Sequence, residues 1–348
     1  MAVKIYPGSV KNIWQEEPPT ETSFGRGYME FRDDDSFSIF DYGTFPWGIN
    51  GKGQSLYNTS LKFFEILENA DIDTHFLGDM GERRIRILLA KMPQSYDKIV
   101  AGKTVVYRIP IECVYSKVVT PVSSLHKRLR AGKERPEDYG LDRSPNRGET
   151  IILPETKTTF STKIETIDVY KGLEELARIG GLIGNEHEML RELTVRAGQE
   201  IMNYGNKRGV VVADGKLEFL LDANRQLIVG DTGLSWDENR LLVRLDDGVY
   251  VDLSKQLVRN IYTIAALDWK QAILDAQKKY PDDTGKWPQP PDIDGKIKDL
   301  CAEACSVVSD VLIGKDVSTE LLYVALDVHN TLEDLKRKHG RDETGEEL

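Results

Sequence analysis

The stretch from Gly209 to Arg240, GVVVADGKLEFLLDANRQLIVGDTGLSWDENR, constrains the fold of this chain more than any other. Two apolar runs, Val210 to Val212 and Leu227 to Val229, each lead into an acidic residue. Period-two alternation puts Lys216 and Glu218 on one strand face and Leu217 and Phe219 on the other. Asp222-Ala223-Asn224-Arg225 supplies a turn, so the next strand returns antiparallel and carries Asp231 toward Glu218. Two carboxylates and an ammonium then converge. Hard oxygens of this kind suit Mg²⁺ bridging the phosphates of a nucleotide, with a lysine neutralising charge. The same residues also fit a surface hairpin with solvated charges.

A chain of 348 residues has room for two or three lobes around a sizeable core. Its net charge of -11 excludes a chain-wide affinity for nucleic acid or anionic membrane. No apolar segment approaches the roughly 20 residues that span a bilayer, and Met1 to Tyr6 holds no signal-like apolar region. The sequence reads as a soluble, cytoplasmic protein. Cys113, Cys301 and Cys305 are too few for a disulfide framework. Cys301 and Cys305 share a helix face, which reads as apolar packing in the absence of further ligands nearby.

Along the chain, Lys4 to Trp14 reads as two strands around a turn at Pro7-Gly8-Ser9. Backbone N–H groups in such a turn can approach an anion, with Lys11 adding charge. Gln15 to Thr22 reads as a loop, Gly25-Arg26-Gly27 as a tight hairpin, and Gly27 to Arg32 as a strand. Gly51-Lys52-Gly53 precedes a helix from Gln54 to Ala70, a placement suited to an anion contact. His75 fits a catalytic base or a hydrogen-bonded structural histidine. Ser123 and Ser124 fit either a phosphate contact or a helix cap. Ile151 to Lys157 reads as a strand, Tyr170 to Ile179 and His187 to Gly205 as helices. Ser254 to Lys279 reads as one helix, followed by helices at Gly295 to Leu312 and Ser318 to Lys338.

Several short motifs form one colinear series: Gly8-Ser9-Val10-Lys11, Asp35 to Asp41, Gly51-Lys52-Gly53, Thr74-His75, Ile111-Glu112-Cys113-Val114, Pro154 to Lys157, Ala213 to Phe219 with Asp231, Lys255 to Arg259, and Trp287-Pro288-Gln289-Pro290. The series resembles the SAICAR synthetase family from Lys4 to Gly314. The resemblance implies an α+β, two-lobed ATP-binding fold with additional C-terminal helices. It implies a β-rich antiparallel lobe over 1–110, a larger mixed lobe over 111–253 that holds ATP and Mg²⁺, and a helical region over 254–348. The last helix is an addition and offers a surface for homo-oligomer formation.

The implied chemistry is ATP-dependent joining of a small-molecule carboxylate to an amine through an acyl phosphate. By resemblance, Lys11 and Lys216 contact phosphates, and Glu218 and Asp231 hold Mg²⁺. Gly8, Ser9 and Glu112 lie at the nucleotide. Ser38, Asp41, Lys52, Ser123, Ser124, Lys157, Arg240, Lys255 and Arg259 serve substrate. The departures from the family pattern lie mostly away from the ATP residues. Ser36 and Ser116 stand where the family has arginine, Lys163-Ile164 with Glu165 replace a His-Asp pair, Thr232 replaces a glutamate, and Ser235 to Arg240 replaces Pro-Asp-Ser-Ser-Arg. Each arginine lost removes a charged hydrogen bond of about 1.5 to 3 kcal/mol. The expectation is therefore a ligase of this type with a diverged acceptor site. Its alternatives are an authentic SAICAR synthetase in which Glu165, Lys163 and Arg240 substitute for the missing groups, a small-molecule kinase, and a non-catalytic nucleotide-binding protein.

Overall fold

The computed structural model describes residues 2–8, 10–32, 34, 36–165, 169–281 and 283–348. A five-stranded antiparallel sheet is built from β1 (Val3–Pro7), β2 (Lys11–Glu17), β3 (Gly25–Phe31), β4 (Phe76–Gly81) and β5 (Arg84–Leu89), in the order β1-β2-β3-β5-β4. Gly25, Gly27, Met29 and Phe31 alternate inward along β3. Gly25 and Gly27 therefore lie within a strand rather than a tight hairpin. The reason is steric: a Cβ on Gly27 would sit 2.0 Å from the Trp14 carbonyl oxygen, so only glycine lets the two backbones pair. The polar run after Trp14 also continues β2 to Glu17 before the chain turns.

Helix α1 (Lys52–Asn69) lies between β3 and β4 in the chain and buries Leu56, Phe63, Phe64 and Leu67. The second sheet has seven strands: β6 (Tyr107–Arg108), β7 (Ile111–Val119), β8 (Ile151–Thr162), β9 (Val211–Leu221), β10 (Leu227–Gly230), β11 (Arg240–Arg244) and β12 (Tyr250–Asp252). Its main order is β12-β11-β9-β7-β8, with β10 and β6 also paired to β9. Every strand pair in it is antiparallel, and helices accompany it, as an α+β fold requires. Among the described residues parallel pairing is confined to single bridges, Thr74 with Val229 and Lys91 with Tyr107, and these tie the two sheets together.

The helices are α2 (Ser124–Arg130), α3 (Leu173–Ile179), α4 (Glu186–Asn206), α5 (Lys255–Ala265), α6 (Leu267–Lys279), α7 (Gly295–Leu312) and α8 (Ser318–His339). The single helix expected from Ser254 to Lys279 is broken at Ala266, whose φ of -140° lies outside the helical region. The break redirects the chain so that Tyr262 and Trp269 meet at 5.3 Å and pack with Phe45. Aromatic burial outweighs helix continuity there, and with no glycine or proline at the site the apolar periodicity runs straight through it. β8 likewise runs to Thr162, past the expected end at Lys157, because β7 offers a partner for each residue of Thr158 to Thr162.

One continuous hydrophobic cluster links the inner faces of both sheets to α1, α4, α5, α7 and α8, from Met29 to Val328. Cys301 and Cys305 are fully buried in it, and burial pushes the Cys301 thiol up to about 12. Among the described residues no helix is long and apolar enough to cross a membrane.

Candidate active site

The β9–β10 hairpin positions the central groups. Gly230 pairs with Glu218 and Val229 with Phe219, which delivers Asp231 beside Glu218. Leu217 and Phe219 point into the core while Lys216 and Glu218 line a cleft of about 1300 Å³ between the sheets. Asp231 takes a left-handed conformation, φ 60°, directly after β10. The hairpin is thus a wall of the cleft and not a solvated surface loop.

Acids and bases alternate along this wall. Lys11, from the start of β2, pairs with Asp231 and donates to the Thr232 hydroxyl at 3.1 Å. Arg108 on β6 pairs with Glu218 and lies 3.7 Å from the other oxygen of Asp231. Lys163, one residue beyond β8, reaches Glu218 at 2.9 Å and Glu112 at 3.0 Å. Lys216 lies 3.4 Å from both Glu112 and Glu238. Burial works against ionisation of Glu112, but Lys216 and Lys163 outweigh it and lower its pKa. Asp231 behaves alike, with Lys11 and Arg108 overriding burial. For Lys216 the nearby Glu238 carboxylate is the leading cause, and it raises the pKa against the opposing effect of burial. These directions keep Glu112, Asp231 and Lys216 charged near neutral pH.

His75 lies under this wall, buried, with no hydrogen-bond partner for Nε2 among the described residues. Burial, assisted by Arg108 and Lys11 and opposed by Asp231, pulls its pKa from 6.5 to about 4. Between those values the unfolded chain binds the proton and the folded chain does not, so stability falls as pH drops through this window. We expect the unfolding free energy, followed by denaturant titration from pH 7 to pH 4, to decline less steeply in His75→Gln than in the wild type. Equal slopes would assign the loss to other groups.

The remaining residues singled out in the sequence divide into two sets. Gly8, Ser123, Ser124, Lys157, Arg240, Lys255 and Arg259 line the same cleft. Ser9 lies outside the described residues. Ser123 also caps α2, its hydroxyl accepting from the His126 N–H at 3.2 Å. Arg240 pairs with Asp214. Ser38, Asp41 and Lys52 do not line the cleft. Lys52 is 1% exposed, donates to the Ser36 carbonyl and sits 2.8 Å from Asp237, which Lys255 approaches from the cleft side, also at 2.8 Å. Sequence reasoning missed Arg108 and Asp237. The one visible signal for Arg108 was a lone cation in an otherwise apolar run, Val105 to Ile109, broken also by Tyr107.

Among the described residues no three His, Cys, Asp or Glu side chains cluster as a metal site. Glu218 and Asp231 nevertheless fit Mg²⁺. Each commits one oxygen to a lysine and turns the other toward a single shared cation. Mg²⁺ is commonly held by one or two carboxylates together with phosphate oxygens and water.

Residues 4–275 match the SAICAR synthetase family. The phosphoribosylaminoimidazole-succinocarboxamide synthase of Thermoplasma acidophilum is 31% identical over 298 residues, covering 85% of this chain and 95% of its own. That of Thermoplasma volcanium is 33% identical over 236 residues, covering 67% and 77%. Among solved structures, a SAICAR synthase from Saccharomyces cerevisiae complexed with SAICAR shares the fold with a TM-score of 0.62 at 20% identity, over 90% of this chain and 95% of that one. A two-sheet fold around a cleft of paired lysines and carboxylates, with these relatives, defines an ATP-dependent ligase that forms carbon–nitrogen bonds. The chain belongs to the SAICAR synthetase family, ligases of purine biosynthesis.

Proposed function

We infer that this chain is a phosphoribosylaminoimidazole-succinocarboxamide synthase, joining an imidazole carboxylate nucleotide to aspartate at the expense of ATP. The observation that carries the reading is the convergence of Lys11, Lys216, Glu218 and Asp231 on one wall of the cleft. The acceptor site expected to have diverged draws its support from the departures alone. Against it stand relatives that carry the ordinary name and match most of the chain. The departures are also answered locally. Lys163 occupies the cleft wall, and Arg240, Lys255 and Arg259 give the cleft a basic side suited to an anionic acceptor. Glu165 does not line the cleft; its carboxylate accepts from the Tyr96 hydroxyl at 3.0 Å.

In this reading Lys11 and Lys216 offset the charge that spreads over the transferring phosphoryl group. A carboxylate oxygen of the acceptor attacks the terminal phosphorus and ADP leaves. The deprotonated amine then attacks the acyl carbon and phosphate departs. Mg²⁺ held by Glu218 and Asp231 would neutralise charge on the phosphate oxygens. The wall itself holds the lysines in place before ligands arrive: Lys216 sits between Glu112 and Glu238, and Lys11 is held by Asp231 and the Thr232 hydroxyl.

The test is a phosphate-release assay with Mg-ATP, the imidazole carboxylate nucleotide and aspartate, with mass analysis of the products. The expected result is the succinyl amide, formed in step with ADP and phosphate. ATP binding without amide formation would restore the diverged acceptor, and a phosphorylated product without free phosphate would make the chain a kinase.

A further inference from the structure

Arg108 holds an unusual position for a cleft cation. Glu218 gives one oxygen to Lys163 and the other to Arg108; Asp231 gives one oxygen to Lys11 and turns the other toward Arg108 at 3.7 Å. Any cation shared by these two carboxylates must therefore use the oxygens that Arg108 faces. Two positive groups cannot both gain from that space, since they repel one another at contact distance. Arg108 is also built to leave it. Its backbone is pinned, the N–H donating to the Lys91 carbonyl at 2.9 Å and β6 pairing with Leu220 and Leu221 of β9. Its side chain is 34% exposed and lines the cleft, whereas Glu218 is 6% exposed. A guanidinium released there faces the cleft, where a phosphate oxygen pair matches its planar fork.

We propose that Arg108 is a nucleotide-phosphate ligand stored on the metal-side carboxylates: a divalent cation displaces its guanidinium from Glu218 and Asp231, and the freed group pairs with the phosphates. This rests on the reading of Glu218 and Asp231 as the metal-side pair. Metal and nucleotide binding are then coupled through one side chain, because each takes up a partner that the other gives up.

The experiment measures binding rather than turnover, on the full chain. Mn²⁺ alone is titrated and followed by the electron paramagnetic resonance signal of the free ion; Mg-ATP binding is followed by calorimetry. In Arg108→Met the competitor is gone, so Mn²⁺ alone binds about tenfold more tightly, while Mg-ATP binds about tenfold more weakly for want of one charged contact. Arg108→Gln shifts both in the same directions and serves if the methionine variant fails to fold. Unchanged or weaker Mn²⁺ binding in these variants overturns the proposal, as does unchanged Mg-ATP affinity, which would leave Arg108 a neutralising group only. Asp231→Asn separates the two readings. Loss of Mn²⁺ binding there, with no tightening in the Arg108 variants, overturns the role of Arg108 alone. Wild-type Mn²⁺ binding in Asp231→Asn overturns the metal-side pair and the proposal with it.

Discussion

Lys216→Ala is expected to lower turnover by about 10²- to 10³-fold, the usual loss when one preorganised contact to developing charge is removed. Lys216 stands on the cleft face of β9, 3.4 Å from Glu112 and from Glu238, so its ammonium is held in place by two carboxylates. Alanine leaves those carboxylates facing the cleft without their shared cation. Glu112 retains Lys163 at 3.0 Å, and Glu238 is partly exposed to water, so the fold tolerates the change. Steady-state phosphate release and a thermal melt, measured together, decide the matter. Wild-type turnover in a folded variant would move the phosphate site elsewhere. Lys216→Arg is not expected to restore activity, because a planar fork does not reproduce a compact ammonium between two carboxylates.

Asp237→Ala is expected to cost about 3 to 5 kcal/mol of folding free energy, because it strands buried charge. The Asp237 side chain is 2% exposed and lies between Lys52 and Lys255, at 2.8 Å from each. Lys52 is itself buried, its side chain 1% exposed. Burial opposes ionisation of Asp237, and Lys255 and Lys52 outweigh it, which holds the carboxyl well below the usual carboxylate range. A folded-state pKa below the unfolded one means that this stabilisation is fully present above the ordinary value of 3.8 and is lost only as pH falls through the lower folded one. Denaturant unfolding at neutral pH measures the loss directly. Replacing Lys52 by methionine in the same chain as Asp237→Leu should recover most of it, since Lys255 can turn to the cleft. A loss in Asp237→Ala below about 1 kcal/mol would mean that the lysines find other partners.

These two residues show how unevenly the sequence discloses the molecule. Lys216, Glu218 and Asp231 were legible because their geometry is local: strand alternation fixes the faces, and a short turn fixes the register of Gly230 on Glu218. The order of helices and strands was legible for the same reason. Asp237 was not, because the partner that explains it, Lys52, lies far earlier in the chain, at the start of α1, and looks like an anion contact beside its two glycines. Arg108 meets Glu218 only through the pairing of β6 with β9, which no periodicity announces. The break at Ala266 is set by an aromatic cluster in which Tyr262 and Trp269, on either side of the break, pack with Phe45 from far earlier in the chain.

The continuous core has a consequence for how the chain can be cut. Helix α1, encoded before residue 110, packs against α4 and α7, and α8 closes over α5, β11 and β12. A fragment ending at Pro110 would leave Phe63, Phe64 and Leu67 facing water, and one beginning at Ile111 would uncover the other side of the same packing. Truncation at the boundary between the sheets is therefore expected to yield two insoluble halves, and the intact chain is expected to unfold in one cooperative transition, which a denaturant titration followed by two probes checks. On that expectation the boundary between the sheets is a seam crossed by one continuous core.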